Sequence, residues 1–326
     1  MNIDKISIKN FVITMKTAIL IPCYNESMTI KKVINDFQKA LPDAEIYVYD
    51  NNSTDGTDEI AKKEGAIVRY EYKQGKGNVV RSMFRDIDAD CYIMVDGDDT
   101  YPAEAAIEIE KMVLEGKADM VIGDRLSSTY FTENKRPFHN SGNKFMRKAI
   151  NTIFSSDLHD ILTGMRGFNW EFVKSYPVIS KGFELETEMS IFALDHNFKI
   201  AEIPIDYRDR MEGSESKLNT YSDGYKVIKV IITLFRDTKP LAFFSIITGI
   251  LVIIALFYFI PILISYLHTG YVLRIPTLIV AAVTFLVAVM IFLSGLILQV
   301  LKKQHDQNFE HQLTLIRLNK QNRDEF

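Results

Sequence analysis

Cysteine is nearly absent from this chain, with two residues, Cys23 and Cys91, in 326. Both fall in apolar, strand-like contexts, so a disulfide framework is excluded and both are expected as reduced core residues. Positive charge is not in excess. The formal net charge of −4 offers no basic field for nucleic acid, and no nucleic-acid partner is expected. No internal repeat of about 20 to 50 residues and no low-complexity tract is visible. The six histidines form no constellation: His139, His159 and His196 lack a partner motif, and His305 and His311 lie in the tail. A cleavable signal peptide is not expected, because Asp4 comes early and Lys5, Lys9 and Lys16 break the N-terminal apolar stretches.

Long apolar runs are present instead, concentrated near the C-terminus. Leu241 to about Leu267 and Pro276 to Leu301 are nearly free of charge. Each exceeds the roughly 20 residues needed to span a bilayer, which predicts a two-helix transmembrane hairpin and makes the lipid bilayer a partner. Lys226, Lys229, Arg236 and Lys239 precede the first span and Lys302 and Lys303 follow the second, while the link offers only His268 and Arg274. The positive-inside rule then puts both termini in the cytoplasm of a multi-pass cell-membrane protein. The expected organisation is a leader over 1–15, a cytoplasmic domain over 16–218, an interfacial amphipathic helix over 219–240, spans over 241–301 (about 241–267 and 276–301), and a cytoplasmic tail over 302–326. The leader reads either as a flexible extension or as an extra edge strand through Ile6, Ile8, Phe11 and Val12.

Within the cytoplasmic domain, apolar runs with strand character alternate with helical spacing. Strands are expected at Thr17 to Ile21, Glu45 to Tyr49, Ile67 to Tyr70, Tyr92 to Val95 and Asp119 to Ile122. Helices are expected over Ser27 to Ala40, Thr57 to Glu64, a segment through Arg85, and Ala103 to Glu115. Strand, helix and strand with short links predict an α/β fold, a mostly parallel, doubly wound sheet with helices on both faces. Ser127 to Pro137 is polar and aperiodic, and reads as a mobile loop. Asn143 to Phe154 and Tyr221 to Arg236 have amphipathic, basic patterns. The second is expected to lie in the membrane interface; the first suits either that interface or an ordinary surface helix packed on the core.

The Tyr92 strand ends in three carboxylates, Asp96, Asp98 and Asp99, around Gly97. Carboxylates crowded at the end of a buried strand repel one another unless a cation or hydrogen-bond donors meet them, and the ligand crevice of an open α/β sheet lies along that edge. Hard oxygen ligands at this spacing suit Mg²⁺ or Mn²⁺ shared with a diphosphate. Taken alone, the tripeptide also fits an Asp-rich turn capping the helix near Ala103. Two further strand ends, Pro22 to Glu26 and Asp50 to Thr57, converge on the same edge.

In this order and spacing the three strand ends resemble the GT-A fold, Rossmann-like, of glycosyltransferase family 2, the inverting enzymes that use nucleotide-diphosphate sugars. Asp160-Ile-Leu-Thr-Gly-Met-Arg-Gly-Phe168, Gly182-Phe-Glu-Leu-Glu-Thr-Glu188, and Arg210 through Gly213-Ser-Glu-Ser-Lys217 narrow the resemblance to membrane-bound polyprenyl-phosphate glycosyltransferases, over roughly Lys16 to Leu301. The resemblance implies that Pro22, Tyr24 and Glu26 line the nucleoside pocket and that Asp50 hydrogen-bonds the base. It implies Lys76 at a phosphate or the nucleotide, Asp98 as direct ligand of Mg²⁺ or Mn²⁺, and Asp96 at the ribose or in outer contact with the metal. A solvated turn lysine is the plain alternative for Lys76. Asp99 and Thr100 follow the motif where many relatives have a bulky apolar residue and then Gln or His.

Arg210 and Lys217 resemble the basic residues that close over the diphosphate, on a Gly/Ser-rich loop suited to folding over substrate. Arg125, Arg136 and Ser141 fall where relatives bind the acceptor's phosphate; for Arg136 a solvated loop charge reads equally well. Asp160 is expected to position sugar or acceptor. The implied reaction transfers a hexose from a UDP- or GDP-sugar to a polyprenyl phosphate, undecaprenyl phosphate in bacteria, for cell-envelope glycan assembly. Homo-oligomers occur among relatives, and no residue pattern here demands one. A processive polysaccharide synthase fits less well, since the only tryptophan, Trp170, follows Gly167-Phe168-Asn169 and not a Gln-x-x-Arg motif. The remaining alternatives are another lipid or glycan acceptor and a non-catalytic membrane assembly partner.

Overall fold

A computed structural model of the chain describes residues 15–126, 137–180, 184–208 and 231–325. It divides into two compact units, Met1–Lys217 with Gln312–Phe326, and Leu218–His311.

The first unit is built on strands β1 (Thr17–Cys23), β2 (Glu45–Asp50), β3 (Ile67–Tyr70), β4 (Cys91–Met94), β5 (Met120–Asp124), β6 (Arg166–Asn169) and β7 (Ile200–Pro204), in the order β3-β2-β1-β4-β6-β5-β7. Ala18, Ile19, Leu20 and Ile21 of β1 are all fully buried, as expected of a central strand covered on both faces. The covering helices include α1 (Ile30–Ala40), α2 (Thr57–Lys63), α3 (Lys76–Asp86), α4 (Ala105–Leu114), α5 (Pro137–Phe154), α6 (Trp170–Ser175) and α7 (Leu185–Asp195). On α1 the buried residues Ile30, Val33, Ile34 and Phe37 recur at helical spacing and join Ile19, Ile21, Val48 and Ile93 in one core. The opposite face carries an aromatic cluster, with Phe84 edge-on to Phe168 at 5.6 Å and Phe168 stacked on Phe172 at 4.9 Å.

Strands β1 to β5 stand close to their expected places. Two strands and two helices go beyond the sequence reading. Residues Arg166–Asn169 form β6, which runs antiparallel to both β4 and β5 and carries Gly167 and a buried arginine, neither of them a strand signal. Strand β7 pairs parallel with β5 at the sheet edge, and its mixed, half-buried sequence Ile-Ala-Glu-Ile-Pro hides its periodicity. Helix α6 is capped by Asn169, whose Oδ1 accepts from the Phe172 amide at 2.8 Å. Helix α5 starts at Pro137, six residues before its expected start, and contacts α7; Met146 and Ile150 on it are buried. The expected mobile loop falls mostly on 127–136, and most of the expected helix from Tyr221 falls on 221–230. Both stretches, like most of the leader, lie outside the described residues; 231–238 are helical.

The second unit contains two helices long and apolar enough to cross a membrane, α8 (Pro240–Thr269) and most of α9 (Ile275–Glu325), with mean hydropathy 2.8 and 2.7 in their most apolar windows. Helix α8 ends at Gly270, whose φ of 72° closes the C-cap. The helices pack as an antiparallel pair: Thr248 Oγ1 donates to the Ala288 carbonyl, and a Cβ on Gly295 would stand 2.7 Å from Phe244 Cβ. Small residues at the contact, including buried Ala255, Ala281 and Ala288, allow this approach. At 1.5 Å per residue the 51-residue helix α9 is about 76 Å long, well beyond a hydrocarbon core of about 30 Å.

The tail carries no chemical signal in the sequence, yet its last residues belong to the first unit. Leu313 is buried, Arg317 Nε pairs with Glu171 Oε2 at 2.9 Å, and Arg323 pairs with Asp88 and Asp90 and lies 5.4 Å from the Trp170 ring.

Candidate active site

Strands β1, β2, β4, β5 and β7 are parallel, so their carboxyl ends share one edge of the sheet. The reversal of β6 brings Asp160 to Met165, the residues before it, to that same edge; Arg166 is in register with Met94 and with Ile122. Three loops leaving the edge contain a left-handed residue, Asn25 (φ 56°), Asn52 (φ 66°) and Asp99 (φ 59°). Asn and Asp tolerate this region better than other side chains with a Cβ. The first two loops are laced together. Asn25 Oδ1 accepts from the Thr54 amide at 2.8 Å, Ser53 Oγ from the Asn25 amide at 2.9 Å, and Thr57 Oγ1 from the Glu26 amide at 2.9 Å.

Asp50, at the end of β2, is 3% exposed. Its Oδ2 accepts from the Ser53 amide at 2.9 Å, but its Oδ1 is buried without a hydrogen-bond partner. An orphaned buried acceptor is costly, so this oxygen is fitted to a donor that arrives with a ligand. Its neighbour Asn51, which the sequence reading passed over, donates to the carbonyls of Glu71 and Lys73 and accepts from the Gly75 amide at 2.7 Å. It thereby fixes the turn that presents Lys76 as the first residue of α3.

Lys76 Nζ stands 2.5 Å from Asp96 Oδ1 and 2.6 Å from Glu186 Oε1. Burial disfavours its charge, but attraction to Asp96 and Glu186 outweighs this and raises its pKa. It is therefore not a solvated turn lysine. The other oxygen of Asp96 packs against Gly164, where a Cβ would stand 2.2 Å from Oδ2. Asp98 is buried, and its Oδ1 accepts from Thr100 Oγ1 at 2.6 Å. Asp99 pairs with Lys32 Nζ at 2.7 Å and lies 3.8 Å from Arg208, so the third carboxylate has its own basic partners. The Cys23 thiol beneath these groups has its pKa pushed well up, first by burial and then by Glu26, Asp50, Asp96 and Asp55. Asp96 and Asp98, two residues apart at this edge, are hard oxygen donors of the kind that suit a divalent cation.

Arg125 and Asp160 form a buried, two-pronged ion pair, Nε to Oδ2 at 2.7 Å and Nη2 to Oδ1 at 3.1 Å, with the guanidinium 5.4 Å from the Tyr207 ring. The loop between Asp160 and β6 is pinned from below. The fully buried Arg166 donates to the carbonyls of Ile161 and Thr163 and to Ser190 Oγ, and the Gly164 amide donates to Tyr101 OH at 2.8 Å. Sequence reasoning missed Arg166 and Glu186; both sit inside motifs quoted for the family resemblance but carry no pattern of their own.

Of the expected site residues, Pro22, Tyr24, Glu26, Asp50, Lys76, Asp96, Asp98, Arg125 and Asp160 are on this one edge or the loops beside it. Arg136, Arg210 and Lys217 lie outside the described residues, and Ser141 falls in a stretch of α5 whose side chains do. The backbone leading toward Arg210 departs from the edge itself, since the Arg208 amide donates to the Thr100 carbonyl at 3.0 Å.

Comparison with known proteins agrees with this geometry. Residues 18–176 match the family described as glycosyl transferase family 2. The chain is 35% identical to glycosyltransferase AglJ of Haloferax volcanii over 228 residues, covering 70% of this chain and 74% of that one. It is 30% identical to a dolichyl-phosphate hexose transferase of the same organism over 222 residues, covering 68% of this chain and 95% of the relative. Among solved structures, glucosyl-3-phosphoglycerate synthase from Mycobacterium tuberculosis, in complex with Mn²⁺, uridine diphosphate and phosphoglyceric acid, superposes with a TM-score of 0.54 at 20% identity. The match covers 68% of this chain and 78% of that one, a likeness of fold.

Proposed function

Because the chain belongs to glycosyltransferase family 2, we propose that it transfers a hexose, with inversion, from a UDP- or GDP-sugar to a polyprenyl phosphate. The observation that carries the donor half of this reading is the orphaned Oδ1 of Asp50, buried at the carboxyl edge that also holds Lys76, Asp96 and Asp98. A base N–H supplies the missing donor, and Tyr24 and Pro22 beside it offer apolar surface to the ring. Glu26 completes the nucleoside pocket. Lys76 meets the diphosphate, and Arg210 and Lys217 close over it.

Asp98 holds a divalent cation, Mg²⁺ or Mn²⁺, with Asp96 at the ribose or in its outer shell. When bound, that cation offsets the charge developing on the departing nucleoside diphosphate. The acceptor needs no strong base, because a phosphate monoester with a second pKa of about 6 is largely anionic at neutral pH. Asp160, locked on Arg125, positions sugar or acceptor. Arg125, Arg136 and Ser141 receive the acceptor phosphate, with guanidinium forks suited to its oxygens.

The acceptor half is supported by the two membrane-length helices and by the relative named for dolichyl-phosphate hexose transfer. A polyprenyl chain stays in lipid while its phosphate reaches a cytoplasmic site. The test is incubation of the full chain in detergent with undecaprenyl phosphate, Mg²⁺ or Mn²⁺ and a panel of UDP- and GDP-sugars, with lipid products read by mass spectrometry. One glycosyl-phosphate lipid, lost on chelation, is the expected result. Nucleotide release without a lipid product overturns the acceptor, and no turnover with any donor overturns the enzyme.

A further inference from the structure

Glu186 takes no part in the transfer described above, yet it is one of the most deeply buried carboxylates at the edge, its side chain 6% exposed on the first turn of α7. Its one described ion pair is with Lys76, which it shares with Asp96. Asp96 in turn is confined on both sides, with Oδ1 on the ammonium and Oδ2 against the bare Cα of Gly164. An ammonium on Asp96 and a divalent cation at the Asp96–Asp98 turn repel each other, while a diphosphate arriving at the start of α3 attracts the ammonium away from Asp96.

We propose that Lys76 is an internal cation whose ammonium, resting on Asp96, opposes binding of the divalent metal at neighbouring Asp98, and that Glu186 is the positioning residue that keeps this ammonium in the site when it leaves Asp96. Metal and nucleoside diphosphate then bind as a coupled pair, each raising the affinity of the other. Glu186 serves as the second anchor that makes this exchange reversible. Without it Lys76 rests on Asp96 alone, and the cluster also loses a negative charge. This inference rests on the reading of the edge as a nucleotide-sugar site.

The experiment is a titration of the full chain in detergent with Mn²⁺ alone, free Mn²⁺ being counted by electron paramagnetic resonance, and then with Mn²⁺ plus UDP. Lys76→Met is expected to tighten binding of Mn²⁺ alone about tenfold, within the 5- to 150-fold range common for coupled sites. Glu186→Gln is expected to weaken it several-fold, and Glu186→Asp, which restores the charge, to recover part of the loss. Binding of Mn²⁺ to Lys76→Met that is unchanged or weaker overturns this opposition. Should that variant not fold, Glu186→Gln decides, because unchanged or tighter binding there overturns it equally. A purely structural Glu186 moves thermal stability without this ordered shift in Mn²⁺ affinity. Failure of the wild-type chain to bind UDP or GDP with metal sinks the nucleotide-site reading instead, a result separate from the Mn²⁺ titration.

Discussion

Replacing Gly164 by alanine tests the geometry of the edge through a single methyl group. The backbone there carries no left-handed strain, so the substitution acts by space alone: its Cβ would stand 2.2 Å from Asp96 Oδ2 and 2.9 Å from Asp96 Cγ. Ordinary contact begins at 3.4 Å, so carboxylate and loop must part by about 1 Å. The loop yields poorly, because the Gly164 amide is bonded to Tyr101 OH and the carbonyls on either side of Leu162 to buried Arg166. Asp96 therefore moves, and its 2.5 Å contact with Lys76 breaks. Overpacking of this kind costs about 1 to 3 kcal/mol of stability. A misplacement of about 1 Å at a site costs on the order of a hundredfold in rate, or about 2.7 kcal/mol of transition-state binding. The assay is kcat/KM for hexose transfer to undecaprenyl phosphate, with Tm measured on the same samples. Gly116→Ala is the control: its φ of +68° strains an alanine, but its Cβ meets nothing within 4 Å, so it is expected to lower Tm and leave kcat/KM alone. A Gly164→Ala enzyme within threefold of wild type would refute the packing of Asp96 on this loop as a determinant of activity.

Asp98→Asn removes the charge of the assigned metal ligand and is expected to abolish metal-dependent transfer with little change in Tm; normal turnover removes that role. Asp160→Ala removes the two-pronged carboxylate partner from the buried Arg125 guanidinium, at a cost of about 3 to 5 kcal/mol. A fall in Tm of roughly 10 °C is expected, with Asp160→Asn milder because it keeps an acceptor; an unmoved Tm for the alanine variant contradicts the buried pair. Arg323→Ala releases Asp88, Asp90 and the Trp170 ring together and is expected to destabilise the first unit by about 1 kcal/mol, an effect that shrinks in high salt. A salt-independent loss would assign the docking of the tail to its apolar contacts instead.

What was legible in the sequence was local. β1, β2 and β4 are apolar runs of strand length that end in polar loops, so both the strands and the chemistry at their ends could be read directly. Thr17–Cys23, Glu45–Asp50 and Cys91–Met94 indeed deliver Glu26, Asp50 and Asp96 to one edge. The family resemblance added Asp160 and Arg125 but not the contact between them, because a pair separated by 35 positions has no periodicity to betray it. The contact of Glu186 with Lys76, 110 positions apart, was hidden for the same reason.

The larger omission, β6, has a physical cause that also explains the site. A central strand normally declares itself by β-branched or aromatic residues on both faces. Arg166–Asn169 instead devotes its first residue to bonding the preceding loop and its second to a glycine against α4, where a Cβ would lie 2.1 Å from Ile109 Cγ2. Its direction matters more than its composition. A parallel strand at this position would send Asp160 to Met165 to the far edge of the sheet, some 13 Å away for four residues at about 3.3 Å each. Running antiparallel, it holds Gly164 against Asp96 and Asp160 against Arg125 at the edge where β4 and β5 end. The weak strand signal and the assembled site thus follow from the same four residues.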